Sequence, residues 1–406
     1  MRVARRVYRA SVDGAWRQAW GLDPEIVFLN HGSFGATPRT VLAEQVRLRN
    51  QLEHEPVRFF LYTLEPLWDA AREEVAAFVG ADPANLVFVR NATEAINGVL
   101  QSVALPAGSD VLITNQTYDA CRFAVTRWAR SRGAEVVVAE VPFPLAGARE
   151  VVDAVLAAAT PRTRLALIDH VTSPTGVVWP IETLVAELQT RGIDCLVDGA
   201  HGPGMVSLDL ETLGAAYYAA NFHKWTCAPK GAGMLYVRPD RQHDVHPAIT
   251  SHGYGTTRGR PRFHERWDWV GTDDPTPMLC VPFALRYLEG LIEGGWSALR
   301  HRNRRLVVAA RKRLLAALDA EAPCPDEMLG ALATVPLPEG VEEPASHPSG
   351  IHPLQRRLLE RHGIEVPIVT WPAPPHRWLR VSAHLHNAPD DYARLVAALP
   401  EALDGA

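Results

Sequence analysis

The sequence predicts an α/β protein, with a mostly parallel sheet covered by helices on both faces and a smaller α+β unit after it. Three observations predict this. Short continuous runs of Val, Leu and Ile recur through the middle of the chain. Helical patterns separate them. After about Leu285 that regular alternation gives way to one long helical stretch and Pro- and Gly-rich connections. Strands buried on both faces read as unbroken apolar runs, as in parallel sheets.

The elements follow in order. Leu86–Arg90 (LVFVR) is a strand, and ATEAINGVLQSVAL after it has a helical pattern. Asp110–Asn115 (DVLITN) is the next strand and YDACRFAVTRWARSRG the next helix, with Gly133 placed to cap its end. EVVVAEV precedes a helix near Arg149–Ala159. Arg164–Val171 (RLALIDHV) is an apolar strand, a helix runs from Ile181 to about Arg191, and Asp194–Ala200 (DCLVDGA) follows. Tyr217–Arg238 (YYAANFHKWTCAPKGAGMLYVR) opens apolar, breaks at a histidine–lysine pair, and turns apolar again after a Gly-rich run. Beyond Leu285, ALRHRNRRLVVAARKRLLAALDA predicts a long helix. RWLRVSAHL and DDYARLVAALP then supply a strand and a helix of the smaller domain. The expected division is an N-terminal segment (1–60) that helps complete the small domain and the active site, a large domain (61–285), and a small α+β domain (286–406).

The bulk numbers narrow the function classes. The chain has 406 residues, 47% hydrophobic and 21% charged, enough for two domains and a sizeable core. Its 41 basic and 46 acidic residues leave −5 with no long basic block, which argues against a nucleic-acid or membrane-surface partner. Five scattered cysteines (Cys121, Cys195, Cys227, Cys280, Cys324) make neither a disulfide framework nor a CxxC zinc site, and no metal is expected. The opening MRVARRVYRASVDGAW lacks an apolar core of signal-peptide length, and no apolar run is long enough to span a bilayer. A soluble protein of the reducing cytoplasm is expected.

In a parallel sheet, chemistry collects beyond the carboxyl ends of the strands. Four polar clusters fall there. Asn91 and Thr93, in RNATEA, stand where a strand meets a helix N-terminus, a site suited to phosphate; taken alone, a plain N-cap is the simpler reading. DHVTSPTG (Asp169–Gly176) ends an apolar strand. Asp198, in VDGAH, emerges from a buried run, where a carboxylate is costly unless paired or well hydrogen-bonded; capping the next turn is the competing role. Lys224, in NFHKW, follows a strand, where a partly dry site lowers an amine's pKa and makes it a nucleophile; a surface lysine is the commoner case. A phosphate cradle, a buried carboxylate and a poised lysine, in that chain order, suit pyridoxal 5'-phosphate.

At these residues the sequence resembles the class V aminotransferase family of fold-type I pyridoxal-phosphate enzymes, and most closely its isopenicillin N epimerase-like branch. FLNHGSFGATP (Phe28–Pro38), EPVRFF (Glu55–Phe60), NATEA, HVTSPTG, VDGAHGPG, HKW and WVGTDDPTP (Trp269–Pro277) carry the resemblance over nearly the whole chain. It implies the pyridoxal-phosphate-dependent transferase fold, with a seven-stranded sheet. Lys224 matches the Schiff-base lysine and Asp198 the partner of the pyridine nitrogen. Asn91, Ala92, Thr93, Asn221 and His223 fall where the family binds phosphate. Tyr118 falls where a ring stacks on the cofactor, with helix-start packing as its competing role. Ser173 and His201 fall near the phenolic oxygen. Gly271 and Thr272 lie in a segment that reaches the other subunit's phosphate, which implies a homodimer. Arg380 matches the arginine that grips the substrate carboxylate, a task that suits a planar bidentate donor. Asn30, His31 and Gly32 join the same pocket. Arg58 and Tyr254 are further candidates for substrate contact, with solvated or packing roles standing equally.

The family's reactions on amino acids begin with loss of the Cα proton. A persulfide-forming desulfurase needs a cysteine shortly before the region of Arg380, and Gly340 to His376 holds none. Epimerisation needs a second acid or base besides Lys224, from Tyr118, His31 or a water. The resemblance implies an amino-acid epimerase, with a carbon–sulfur β-lyase as the alternative. An aminotransferase or a non-catalytic cofactor-binding scaffold stands behind these.

Overall fold

The structure, a computed structural model, describes residues 16–255, 259–339 and 351–404. The basic N-terminal stretch and residues 340–350 of the cysteine-free span lie outside these. Twelve strands are described: β1 (Val27–Phe28), β2 (Leu86–Val89), β3 (Asp110–Thr114), β4 (Glu135–Ala139), β5 (Thr163–Asp169), β6 (Asp194–Gly199), β7 (Tyr217–Asn221), β8 (Gly233–Val237), β9 (Leu332–Pro336), β10 (Ile364–Glu365), β11 (Ile368–Thr370) and β12 (Arg377–Ser382).

β2 to β8 form one sheet in the order β2-β8-β7-β6-β5-β3-β4. Every neighbouring pair is parallel except those of β8, which runs antiparallel to β2 and β7. The mostly parallel, seven-stranded expectation is met. The apolar runs are continuous because both faces are covered. Along β5, Leu165 and Leu167 join one apolar cluster while Ala166 and Ile168 join the other. The helices between the strands begin and end within a few residues of where their sequences say; the one from Ala92 stops at Ser102, short of the expected Leu105. The helix Asp119–Arg132 stops at Gly133, whose left-handed φ of 64° lets its N–H reach the carbonyls of Ala129 and Arg130.

A second, three-stranded antiparallel sheet has the order β11-β12-β9 and packs against the 24-residue helix Gly295–Leu318. β1 pairs in parallel with β10, Val27 opposite Ile364. The chain then stays with this sheet, since the Leu29 carbonyl accepts from the Ser382 amide at 3.0 Å. The first described residues therefore pack with the last. All five cysteines are free and buried. Among the described residues no helix is long and apolar enough to cross a membrane.

Candidate active site

A cavity of about 410 Å³ opens beyond the carboxyl ends of β5, β6 and β7. Its lining gathers residues from three separate places: Asn91, Ala92, Thr93 and Tyr118 after β2 and β3; Asp169, Ser173, Asp198, His201, Asn221, His223 and Lys224 from the sheet's centre; Gly32, Ser33 and Phe34 from the N-terminal segment with Arg380 from β12.

Asp198 sits near the end of β6, in register with Asp169 on β5. Its Oδ1 accepts from the Ala200 amide at 3.0 Å, and its Oδ2 from the Cys121 thiol at 3.3 Å. Burial raises its pKa, against the pull of these donors and of the Lys224 charge. Asp169 is pushed up well above the carboxylate range, first by burial and then by the Asp198 charge, and its Oδ2 has no hydrogen-bond partner among the described residues. Two buried carboxyls side by side favour one proton between them. The sequence showed Asp169 at a strand end but gave no sign that it faces the same cavity.

Lys224 follows β7 through Phe222 and His223. Its Nζ lies 3.1 Å from His201 Nε2, and His201 Nδ1 accepts from the Trp225 indole N–H at 3.1 Å. Burial lowers the lysine pKa to about 8; Asp198 opposes that and Arg380 adds to it. The backbone here is held tightly. A Cβ on Gly35 would stand 2.0 Å from the His223 carbonyl, and Gly35 has φ 69° and ψ 167°, a region that glycine alone fills readily.

The helix Ala92–Ser102 points its N-terminus at the cavity. The Asn91 side chain caps it, accepting from the Glu94 amide at 2.9 Å, and the Asn221 side chain takes the Ala92 amide at 2.9 Å. Asn91 and Asn221 thus build the helix start by internal bonds. Among the described residues the Thr93 amide is left without a protein acceptor, and His223 Nδ1 is buried without a partner.

Arg380, on β12, is buried. Its Nη1 donates to the Ser173 carbonyl and its Nη2 to Ser33 Oγ at 3.3 Å, while Nε has no partner. Burial lowers its pKa to about 10. No carboxylate forms an ion pair with it among the described residues. A buried guanidinium without a counter-ion is costly, and a carboxylate ligand would supply one. Ser33, absent from the expected site, is found here because the β1 pairing brings the N-terminal segment against β12.

Other expected residues lie elsewhere. His31 is fully buried behind the cavity wall, where its Nε2 meets the Lys224 carbonyl at 3.0 Å and its Nδ1 meets His386 Nε2 at 3.1 Å. It stacks on His384 with 4.4 Å between ring centres, and His384 Nε2 meets the Trp225 carbonyl at 3.2 Å. The Cys227 thiol adjoins both rings. This buried network holds the lysine backbone and does not face a substrate. Asn30 is bonded to Glu365 and Ser33. Arg58 is exposed, with only a 3.9 Å approach to Glu55. Thr272 and Tyr254 are exposed and outside the cavity of their own chain. Tyr118 lines the cavity with half its surface open to solvent, and burial raises its pKa.

Pyridoxal phosphate fits these residues. They offer an amine of lowered basicity, a buried carboxylate, and at the helix start an amide and an imidazole nitrogen with no partner.

Comparison with known proteins accords with the fit. The class-V aminotransferase family model matches residues 45–338. An isopenicillin N epimerase of Amycolatopsis lactamdurans is 36% identical over 405 residues, covering 95% of this chain and 98% of that protein. A probable chloroplastic L-cysteine desulfhydrase of Arabidopsis thaliana is 32% identical, covering 93% of this chain and 83% of its own. The crystal structure of the Escherichia coli cysteine desulfurase CsdA shares the fold, with a TM-score of 0.77 at 23% identity, covering 98% of this chain and 99% of that one. The chain belongs to the class-V aminotransferase family, whose enzymes work with pyridoxal phosphate.

Proposed function

We propose that the protein epimerises an amino acid at Cα, with Lys224 and Tyr118 as the two proton-handling groups. One observation carries the reading: an amine, a buried carboxylate and an unpaired guanidinium converge on one cavity. Bound pyridoxal phosphate supplies an aldehyde that captures amines and a ring that takes up electron density from Cα. The chain's own residues do the rest. Arg380 holds the substrate carboxylate and fixes the orientation of Cα. Asp198, whose ionised form the Ala200 amide, the Cys121 thiol and the Lys224 charge favour, would stabilise a protonated pyridine nitrogen. The uncharged Lys224 amine accepts the Cα proton. Tyr118 keeps its hydroxyl proton at neutral pH and returns one to Cα from another side, then regains it from solvent through its exposed edge. Lys224 follows β7 and Tyr118 follows β3, with β6, the strand of Asp198, and β5 between them in the sheet. That separation supports two distinct proton carriers, whereas His31, committed behind the wall, supports none.

A carbon–sulfur β-lyase is the second reading, favoured by the desulfhydrase likeness. It needs only Lys224 and a leaving group at Cβ. Both readings place the cavity in a homodimer, with Thr272 reaching the partner's cavity; its exposure supports this.

Incubation with a panel of amino acids in deuterated water separates the readings. Deuterium at Cα with inversion identifies the epimerase, and pyruvate with a released sulfur species identifies the lyase. If no amino acid exchanges its Cα proton, or if Lys224→Ala keeps full turnover, both readings fail.

A further inference from the structure

The contacts of Lys224 raise a question of hydrogen-bond bookkeeping. The Trp225 indole has one N–H and no acceptor, so at 3.1 Å it donates to His201 Nδ1. That nitrogen therefore presents its lone pair. His201 is fully enclosed, with Lys224, Arg380 and His223 around it, so it stays neutral. A neutral imidazole whose Nδ1 accepts must carry its proton on Nε2. Nε2 lies 3.1 Å from Lys224 Nζ. An ammonium has three donors and no acceptor, so it would set N–H against N–H across this gap. An uncharged amine has one lone pair, and it accepts the bond.

We propose that Trp225 is a positioning residue for the reactive amine: through the tautomer it imposes on His201, it favours the uncharged form of Lys224 and aims it into the cavity. The inference rests on Lys224 being the reactive group, but its statement about the proton does not depend on any bound cofactor. The other groups around the amine are Asp198 from β6, which favours the charged form, Arg380 from β12, which opposes it, and the un-ionised thiol of Cys121 from the helix Asp119–Arg132. The His223 side chain, next in the chain, is neutral and also lowered by burial. None of these forms a hydrogen bond to Nζ; His201 does. The amine is ready near neutral pH. With a half-point about 8, against 10.5 for a free lysine, roughly a tenth is uncharged at pH 7, about 300 times the share of a free lysine.

The consequence for turnover is direct. An uncharged Lys224 amine that accepts from His201 Nε2–H would take up a proton without first losing one to water. If Trp225 no longer donates, His201 is free to move its proton to Nδ1 and accept from an ammonium, and Lys224 charges.

The test uses cofactor-free protein, so that failure here is distinguishable from failure to bind pyridoxal phosphate, which shows separately as no visible absorption on adding it. Cyanate carbamylates uncharged amines. Peptide mass spectrometry reads modification of Lys224 relative to the exposed Lys312 across pH 6–10. Wild type gives a half-point near 8. Trp225→Phe moves it up by about one unit or more, a roughly tenfold loss of relative reactivity at pH 7. Within a His201→Gln background, Trp225→Phe gives no further shift, which a merely structural Trp225 would not produce. An unmoved half-point in Trp225→Phe, or an equal shift in the His201→Gln background, overturns the proposal. Should the Trp225 variant not fold, the ¹⁵N spectrum of His201 in the wild-type chain decides. A proton on Nε2 supports the relay, and a proton on Nδ1 or on both nitrogens sinks it.

Discussion

Lowering the pH below 6.5 should loosen the seam that carries the lysine, by an amount the structure allows to be worked out. His31, His384 and His386 are buried together, the latter two edge-on to Trp20 with ring centres 5.6 and 5.3 Å from it. Burial lowers the pKa of all three, in His384 from 6.5 to about 4. A base whose folded pKa is lowered takes up its proton more readily when unfolded. Its contribution is therefore complete above about 6.5 and is lost as the pH falls, until the folded value is reached. For His384 alone the loss is about 2 kcal/mol at pH 5 and about 3 kcal/mol at full expression. His31 and His386 act in the same direction. Against a folding free energy on the order of 10 kcal/mol, this is a large share. The assay is thermal unfolding from pH 7.5 to 5, with proton uptake measured on unfolding. His384→Phe, which keeps a ring in the stack, should flatten the pH slope by about one titrating group. A stability that stays level between pH 7 and 5, or a slope that His384→Phe leaves unaltered, would refute the reasoning.

Three other outcomes are expected. Arg380→Lys keeps the charge but loses the planar fork, so kcat/KM should fall roughly 10- to 100-fold, mostly through KM, in steady-state kinetics. Gly35→Ala drives a methyl into the His223 carbonyl from a backbone region costly for alanine, so it should destabilise the protein by about 2 kcal/mol or more and weaken cofactor retention, read by unfolding and by dialysis. Tyr118→Phe should suppress inversion at Cα while leaving deuterium exchange with retention through Lys224; if inversion persists unchanged, Tyr118 is not the second proton carrier.

Much of this was legible because the relevant signals are local. β5 and β6 carry the apolar runs Leu165–Ile168 and Cys195–Val197, followed by Asp169 and Asp198, and a carboxylate at the end of such a run has few places to go. Gly133 announced its helix end by itself. The direction of β8 was not legible, since an apolar run has no orientation until its neighbours are known. Asn91 lines the cavity, and its oxygen caps the helix, the simpler of the two roles its motif allowed. His31 was expected in the substrate pocket, yet it lies behind the lysine, because the β1–β10 pairing fixes how far the N-terminal segment reaches. Ser33 and Asp169 join the site through contacts separated by long stretches of chain, which no window of sequence contains.

The path of the N-terminal segment also bears on how such a protein can be rearranged. Between Val27 and Gly35 it is tied to β10 and β12 on one side and to the backbone around Lys224 on the other. A chimera that swaps only one terminus between relatives would unite mismatched halves of a single socket. Successful recombination must exchange both ends as one inherited block, although more than three hundred residues of chain divide them.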